Sequence, residues 1–118
     1  VQRTFSAACA AQSEPLSTPL FLVDSRTAAM AQGFVVLEAA RAAQAGASVE
    51  QVVARAKEIS GCVHLLGLLK TLEYLRRGGR IGTAAALLGS ALRINPIVGI
   101  APGAGIVQGV ARQRTWRH

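Results

Sequence analysis

Prolines and glycines decide how long any element of this chain can run. Pro15 and Pro19 end the first segment, Gly46 and Gly61 close two helical stretches, and Gly78-Gly79 breaks a third. Pro96 and Pro102-Gly103 interrupt the last part. Proline removes a backbone donor and clashes with the preceding helical turn, while glycine supplies the left-handed backbone at which helices stop. Only short helices and strands fit between these breaks. With 118 residues, 51% of them apolar and 16% charged, the chain has enough apolar material for one modest folded unit or part of a larger one.

The pattern within each segment then sets its type. Residues 4–12 are alanine-rich and helix-compatible. Leu20-Phe21-Leu22-Val23 is a continuous apolar run ending in Asp24-Ser25, which reads as a buried strand of the parallel type. Thr27 is placed to cap a helix over 28–45. Ser48-Val49-Glu50-Gln51 is a capping box, and Val49, Val52, Val53, Ala56 and Ile59 then share one helical face up to Gly61. The stretch 62–69 reads as a second buried strand, Thr71 as the cap of a short helix carrying Glu73, and 83–92 as a further helix. Residues 97–100 and 105–107 around Pro102-Gly103 predict a hairpin. Strands alternating with helices make the expected class α/β, with short buried strands and a terminal hairpin. Composition loosens near residues 46–48, which is where an internal domain boundary would fall.

Residues 94–111 carry no charge and approach membrane-spanning length. Their prolines, glycines, Asn95 and Gln108 make a poor spanning helix, so no transmembrane segment is expected. The first residues lack a basic stretch followed by an apolar run, and two cysteines cannot build a disulfide framework, so the expected compartment is the cytoplasm.

The charge is segregated. All six acids lie in the first 73 residues, where they balance the basic side chains, and the whole net charge of +7 comes from arginines after Glu73. Guanidinium groups suit carboxylates and phosphates as bidentate partners. The chain lacks the interleaved aromatics that stack on bases, since Trp116 is the one aromatic near the basic end, so nucleic acid is not the favoured partner.

Few residues are arranged for catalysis. Asp24, Ser25 and His64 are the residue types of a hydrolase triad, but no Gly-x-Ser-x-Gly elbow accompanies them. Cys9, Cys62, His64 and His118 lie at no metal-ligand spacing, so no metal is expected. Two segments are more pointed. Asp24-Ser25-Arg26-Thr27 sets hydroxyls where a strand gives way to a helix, a place that favours anions unless Thr27 merely caps. Arg76-Arg77-Gly78-Gly79-Arg80 surrounds a flexible double glycine with arginines, either as a solvated turn or as a contact for an anion or acidic partner.

These segments resemble the DegV family of fatty-acid-binding proteins. The resemblance runs through Val23-Asp24-Ser25-Arg26-Thr27, through Gln32-Gly33-Phe34 into Leu37-Glu38-Ala39-Ala40, and on to Pro96-Ile97. Its most specific part is Leu72-Glu73-Tyr74-Leu75-Arg76-Arg77-Gly78-Gly79-Arg80-Ile81. It implies that residues 1–118 are a portion of a two-domain α/β fold, less than half of a full-length member. It also implies a non-enzymatic protein that binds one long-chain fatty acid, needs no other cofactor, and presents the carboxylate to a fatty acid kinase partner for acyl-phosphate formation. Carried over residue by residue, the ligand contacts would be Thr4, Ser25, Arg26 and Gly33, and the partner contacts Arg76, Arg77 and Arg80. Gln2 and Arg3 stand where the family has Ser and Gly, and Met30-Ala31-Gln32-Gly33 lacks one family glycine. The alternatives are a truncated protein-interaction remnant without ligand or a basic nucleic-acid-binding module. A homo-oligomer is expected if the fragment must complete its core.

Overall fold

The computed structural model describes residues 2–12, 17–88, 95–100 and 102–114. Helix α1 spans Gln2–Gln12, α2 Ala29–Gln44 and α3 Val49–Cys62. Strand β1 (Leu65–Leu68), helix α4 (Glu73–Arg77) and a 3₁₀-helix (Gly82–Leu87) follow, then strands β2 (Asn95–Ile100) and β3 (Val107–Gln113). The α/β class and the terminal hairpin are therefore present, with the strands in one antiparallel sheet of order β1-β2-β3.

Helices α2 and α3 form a hairpin, and residues 46–48 are its turn. Gly46 takes φ +82°, and the N–H groups of Gly46 and Ala47 donate back to the carbonyls of Ala43 and Ala42 at 3.0 and 3.1 Å. That pair of bonds satisfies carbonyls that a helix end leaves open. The capping box forms as the sequence requires: Ser48 Oγ accepts from the Gln51 N–H at 3.4 Å, and the Ser48 N–H donates to Gln51 Oε1 at 2.8 Å. Ala31 and Val35 on α2 and Ala56 on α3 are buried. Small side chains there let the two helices approach closely, and an ion-pair network closes the seam: Glu38 accepts from Arg41 and Arg55, both at 2.6 Å, and Arg55 also reaches Glu58 at 3.0 Å.

The sheet packs against the 3₁₀-helix to make a second half. Leu65 pairs with Ile100, and Leu68 with Ile97, while a bulge between Ile97 and Val98 shifts the β2-β3 register. Leu72, Ala84 and Val98 form the core of this half, with Leu69, Leu75, Ile81, Leu87 and Val107 against them. The 3₁₀-helix lies on β3 so tightly that a Cβ on Gly109 would meet Leu87 Cδ1 at 2.6 Å. Helix α4 ends on a double glycine: Gly79 has φ +65°, its N–H donates to Arg76 O, and the Arg80 N–H donates to Leu75 O at 2.8 Å. Thr71 is not the cap of α4, because Leu72 takes that position without a side-chain bond; Thr71 Oγ1 instead accepts from the Glu73 N–H at 3.1 Å from one residue further out.

Four further expectations are corrected. Residues 20–23 form no strand, since they pair with none of the three strands among the described residues. Leu20 and Phe21 are 45% and 56% exposed there. The second strand begins only at Leu65 and is half-buried with alternating exposure, the pattern of an antiparallel edge with one face covered. Thr27 does not cap α2: Ala28 occupies that position without a side-chain bond. The helix expected over 83–92 is a 3₁₀-helix ending at Leu87, with 89–92 outside the described residues.

The molecule is thin. It measures 54 × 32 × 16 Å with a radius of gyration of 17.4 Å, against about 13.5 Å for a compact domain of this length. Met30, Phe34 and Leu37 leave an apolar face of α2 exposed.

Candidate functional site

A cleft of about 850 Å³ runs between the segment 22–28, helix α1, the α4 turn and the sheet. Its volume is that of a typical small-molecule site. Strand alternation builds one wall: Leu65 and Gly67 are half-buried and line the cleft, while Leu66 and Leu68 are exposed. Val98 and Ile100 from β2, Ile106 and Val107 from the hairpin, and Leu22 and Val23 complete the apolar surface. The polar part comes from Thr4, Asp24, Ser25, Thr27, Gln32, Arg3 and Arg80.

The segment joining residues 22–23 to α2 has an unusual backbone. Arg26 has φ +49° and Ala29 φ +51°, and a non-glycine residue in such a conformation costs on the order of 1 kcal/mol or more. Asp24 stabilises the first of these, its Oδ1 accepting from the Arg26 N–H at 3.0 Å, with Arg26 Nε 3.7 Å from Oδ2. The Arg26 guanidinium then donates to the Gly103 carbonyl at 2.9 Å, tying the segment to the β2-β3 turn. Gly105 packs beside it in the left-handed conformation, with φ +64°.

The residues singled out in the sequence are distributed unequally. Thr4, Ser25 and Arg80 line the cleft. Arg26 and Gly33 do not: Arg26 is drawn to Gly103, and Gly33 sits within α2 beside the Met30 thioether. Arg80 donates from Nη1 to Gly78 O at 3.1 Å, so the double-glycine turn holds its guanidinium at the cleft edge. Arg76 and Arg77 lie on the outer side of α4 with the 76%-exposed Tyr74, and Arg77 pairs with Glu73 at 2.6 Å. His64 is exposed between α3 and β1, outside the cleft lining. His118, Trp116, Arg93 and Arg117 lie outside the described residues. Among the described residues no group of three or more His, Cys, Asp or Glu is placed to hold a metal, and no helix is long and apolar enough to cross a membrane.

Sequence reasoning missed the contribution of the sheet to the cleft, and that of Arg3, Phe5 and Ala8 on α1. The one available signal was the Leu-Leu-Gly-Leu alternation, whose small residue faces the cleft.

Comparison with known proteins places these features in a family. The DegV family model matches residues 3–117. A DegV domain-containing protein of Streptomyces coelicolor is 42% identical over 98 residues, covering 83% of this chain and 34% of its own length. The structure is similar to that of a DegV family protein from Thermus thermophilus described as binding fatty acid, with a TM-score of 0.78 and 34% identity over 93% of this chain and 38% of that one. It is equally similar to DegV of Bacillus subtilis, described as a fatty acid binding protein, with a TM-score of 0.78 and 32% identity over 96% of this chain and 40% of that one. The chain thus spans about a third of the length of the curated relatives it matches.

Proposed function

The chain belongs to the DegV family, and from that premise we propose that it binds a long-chain fatty acid in the cleft and takes no catalytic part itself. The observation that carries this reading is a cleft lined mainly by apolar side chains with a small set of polar and charged groups among them. An acyl chain gains about 0.8 kcal/mol per buried methylene, so the wall supplies the affinity. The polar groups supply orientation, with Thr4 and Ser25 beside the carboxylate and Arg80 at the edge. The fatty-acid-binding descriptions of the Thermus and Bacillus relatives support the same ligand class.

The second half of the reading concerns a partner. A carboxylate held by these polar groups is a substrate for a cytoplasmic kinase: its oxygen attacks the γ-phosphorus of ATP, acyl phosphate forms, and ADP leaves. The kinase does that chemistry, and this chain positions the nucleophile. Tyr74, Arg76 and Arg77, exposed on α4 next to the cleft-edge Arg80, form the surface for it.

Mass spectrometry of the purified, denatured chain tests ligand binding, and a co-purified long-chain acid is the expected result. Added hexadecanoate at a hundredfold excess over Kd contributes about 2.7 kcal/mol to stability and raises Tm. Absence of both a co-purified acid and a Tm change on adding hexadecanoate would overturn the proposal.

A further inference from the structure

We infer that the Thr27 hydroxyl is a hydrogen-bond donor for the carboxylate of the bound acyl chain at the head of α2, a role that rests on the ligand proposed above. Thr27 is 3% exposed, and its Oγ1 is buried without a hydrogen-bond partner. A buried hydroxyl in that state is destabilising and calls for a reason. Capping is not the reason, since α2 takes Ala28 at its N-cap position. The residue nevertheless lines the cleft, as do Ala28 and Gln32 from the first turn of the same helix.

Three features favour an anion at this spot. Helix α2 begins against the cleft wall with no side-chain cap on its first N–H groups, so its positive end is open to a negative charge. The charged side chains lining the cleft are Arg3, Arg80 and Asp24, and Asp24 is already engaged by Arg26. Thr27 is also held between two left-handed residues, Arg26 and Ala29, with the first anchored to Asp24 and to Gly103. Strain of this kind is found where a side chain must be presented in a fixed position. A carboxylate oxygen is the acceptor that the orphan hydroxyl lacks.

The test uses the full 118-residue chain, hexadecanoate and hexadecan-1-ol. A hydrogen bond to a charged group predicts that Thr27→Val weakens hexadecanoate binding about tenfold or more, while Thr27→Ser stays within about threefold of the wild type. The alcohol, lacking the charge, loses less affinity than the acid. Without ligand, Thr27→Val melts at the same temperature or higher, because valine removes the unpaired hydroxyl and keeps the shape. A structural role predicts the opposite: a lower melting temperature for Thr27→Val and equal losses for acid and alcohol. Wild-type affinity retained in Thr27→Val overturns this inference alone. A wild-type chain that binds no hexadecanoate overturns the ligand reading and this inference with it.

Discussion

Gly82 shows how a single position governs the sheet half of the molecule. It has φ +52°, and a Cβ built there would lie 2.2 Å from the Val107 carbonyl oxygen. The backbone of the 3₁₀-helix therefore enters directly against β3, and only a residue without a side chain permits it. Gly82→Ala combines a left-handed alanine with a backbone clash, so it should cost on the order of 2 kcal/mol or more. Urea titration followed by circular dichroism measures this, and a midpoint equal to the wild type would contradict the packing. A sequence shows a glycine but not the strand carbonyl beside it, which is why Gly82 went unremarked while Gly46 and Gly78-Gly79 were legible as helix stops. Thr27 follows the same rule: its residue type fits a cap, and only tertiary placement gave the cap to Ala28.

At the scale of elements, the helical hairpin is tied by charge as well as by its alanine seam. Hydrogen bonds from Arg55 first, and Arg41 second, hold the Glu38 carboxyl below the ordinary glutamate value. A pKa lowered by folding contributes stability that is present above the unfolded value, and that stability is lost as pH falls through the folded value. Acidification below about pH 4.3 should therefore lower Tm, and Glu38→Gln should flatten that dependence. Glu50, lowered mainly by its bond from Ser48, shares the direction, so the flattening is partial. Identical Tm-against-pH curves for the variant and the wild type would show that the network contributes nothing. The capping box behind this hairpin was readable because all its groups lie within four residues. The strand expected over residues 20–23 is absent because an apolar run carries strand propensity but does not encode a neighbour to pair with it.

Across the whole molecule, the thin shape has a thermodynamic consequence. Seven hydrophobic residues are buried among the described ones, three of them alanines, while Met30, Phe34 and Leu37 remain exposed. Unfolding then exposes less new surface than in a compact domain of this length, so the urea m-value should sit near the lower end of about 1–3 kcal/mol/M. A value at the upper end would show that these faces are covered in solution. The sequence by itself determined the α/β class, the helix boundaries set by Gly46 and the capping box, the terminal hairpin and the arginine-flanked double glycine, because each depends on contacts between near neighbours. Only the tertiary structure decided that the sheet is antiparallel, that residues 22–28 and the sheet enclose one cleft, and that Thr27 is buried there without a partner. Those outcomes depend on residues far apart in the chain, such as Arg26 and Gly103, whose meeting no local pattern encodes.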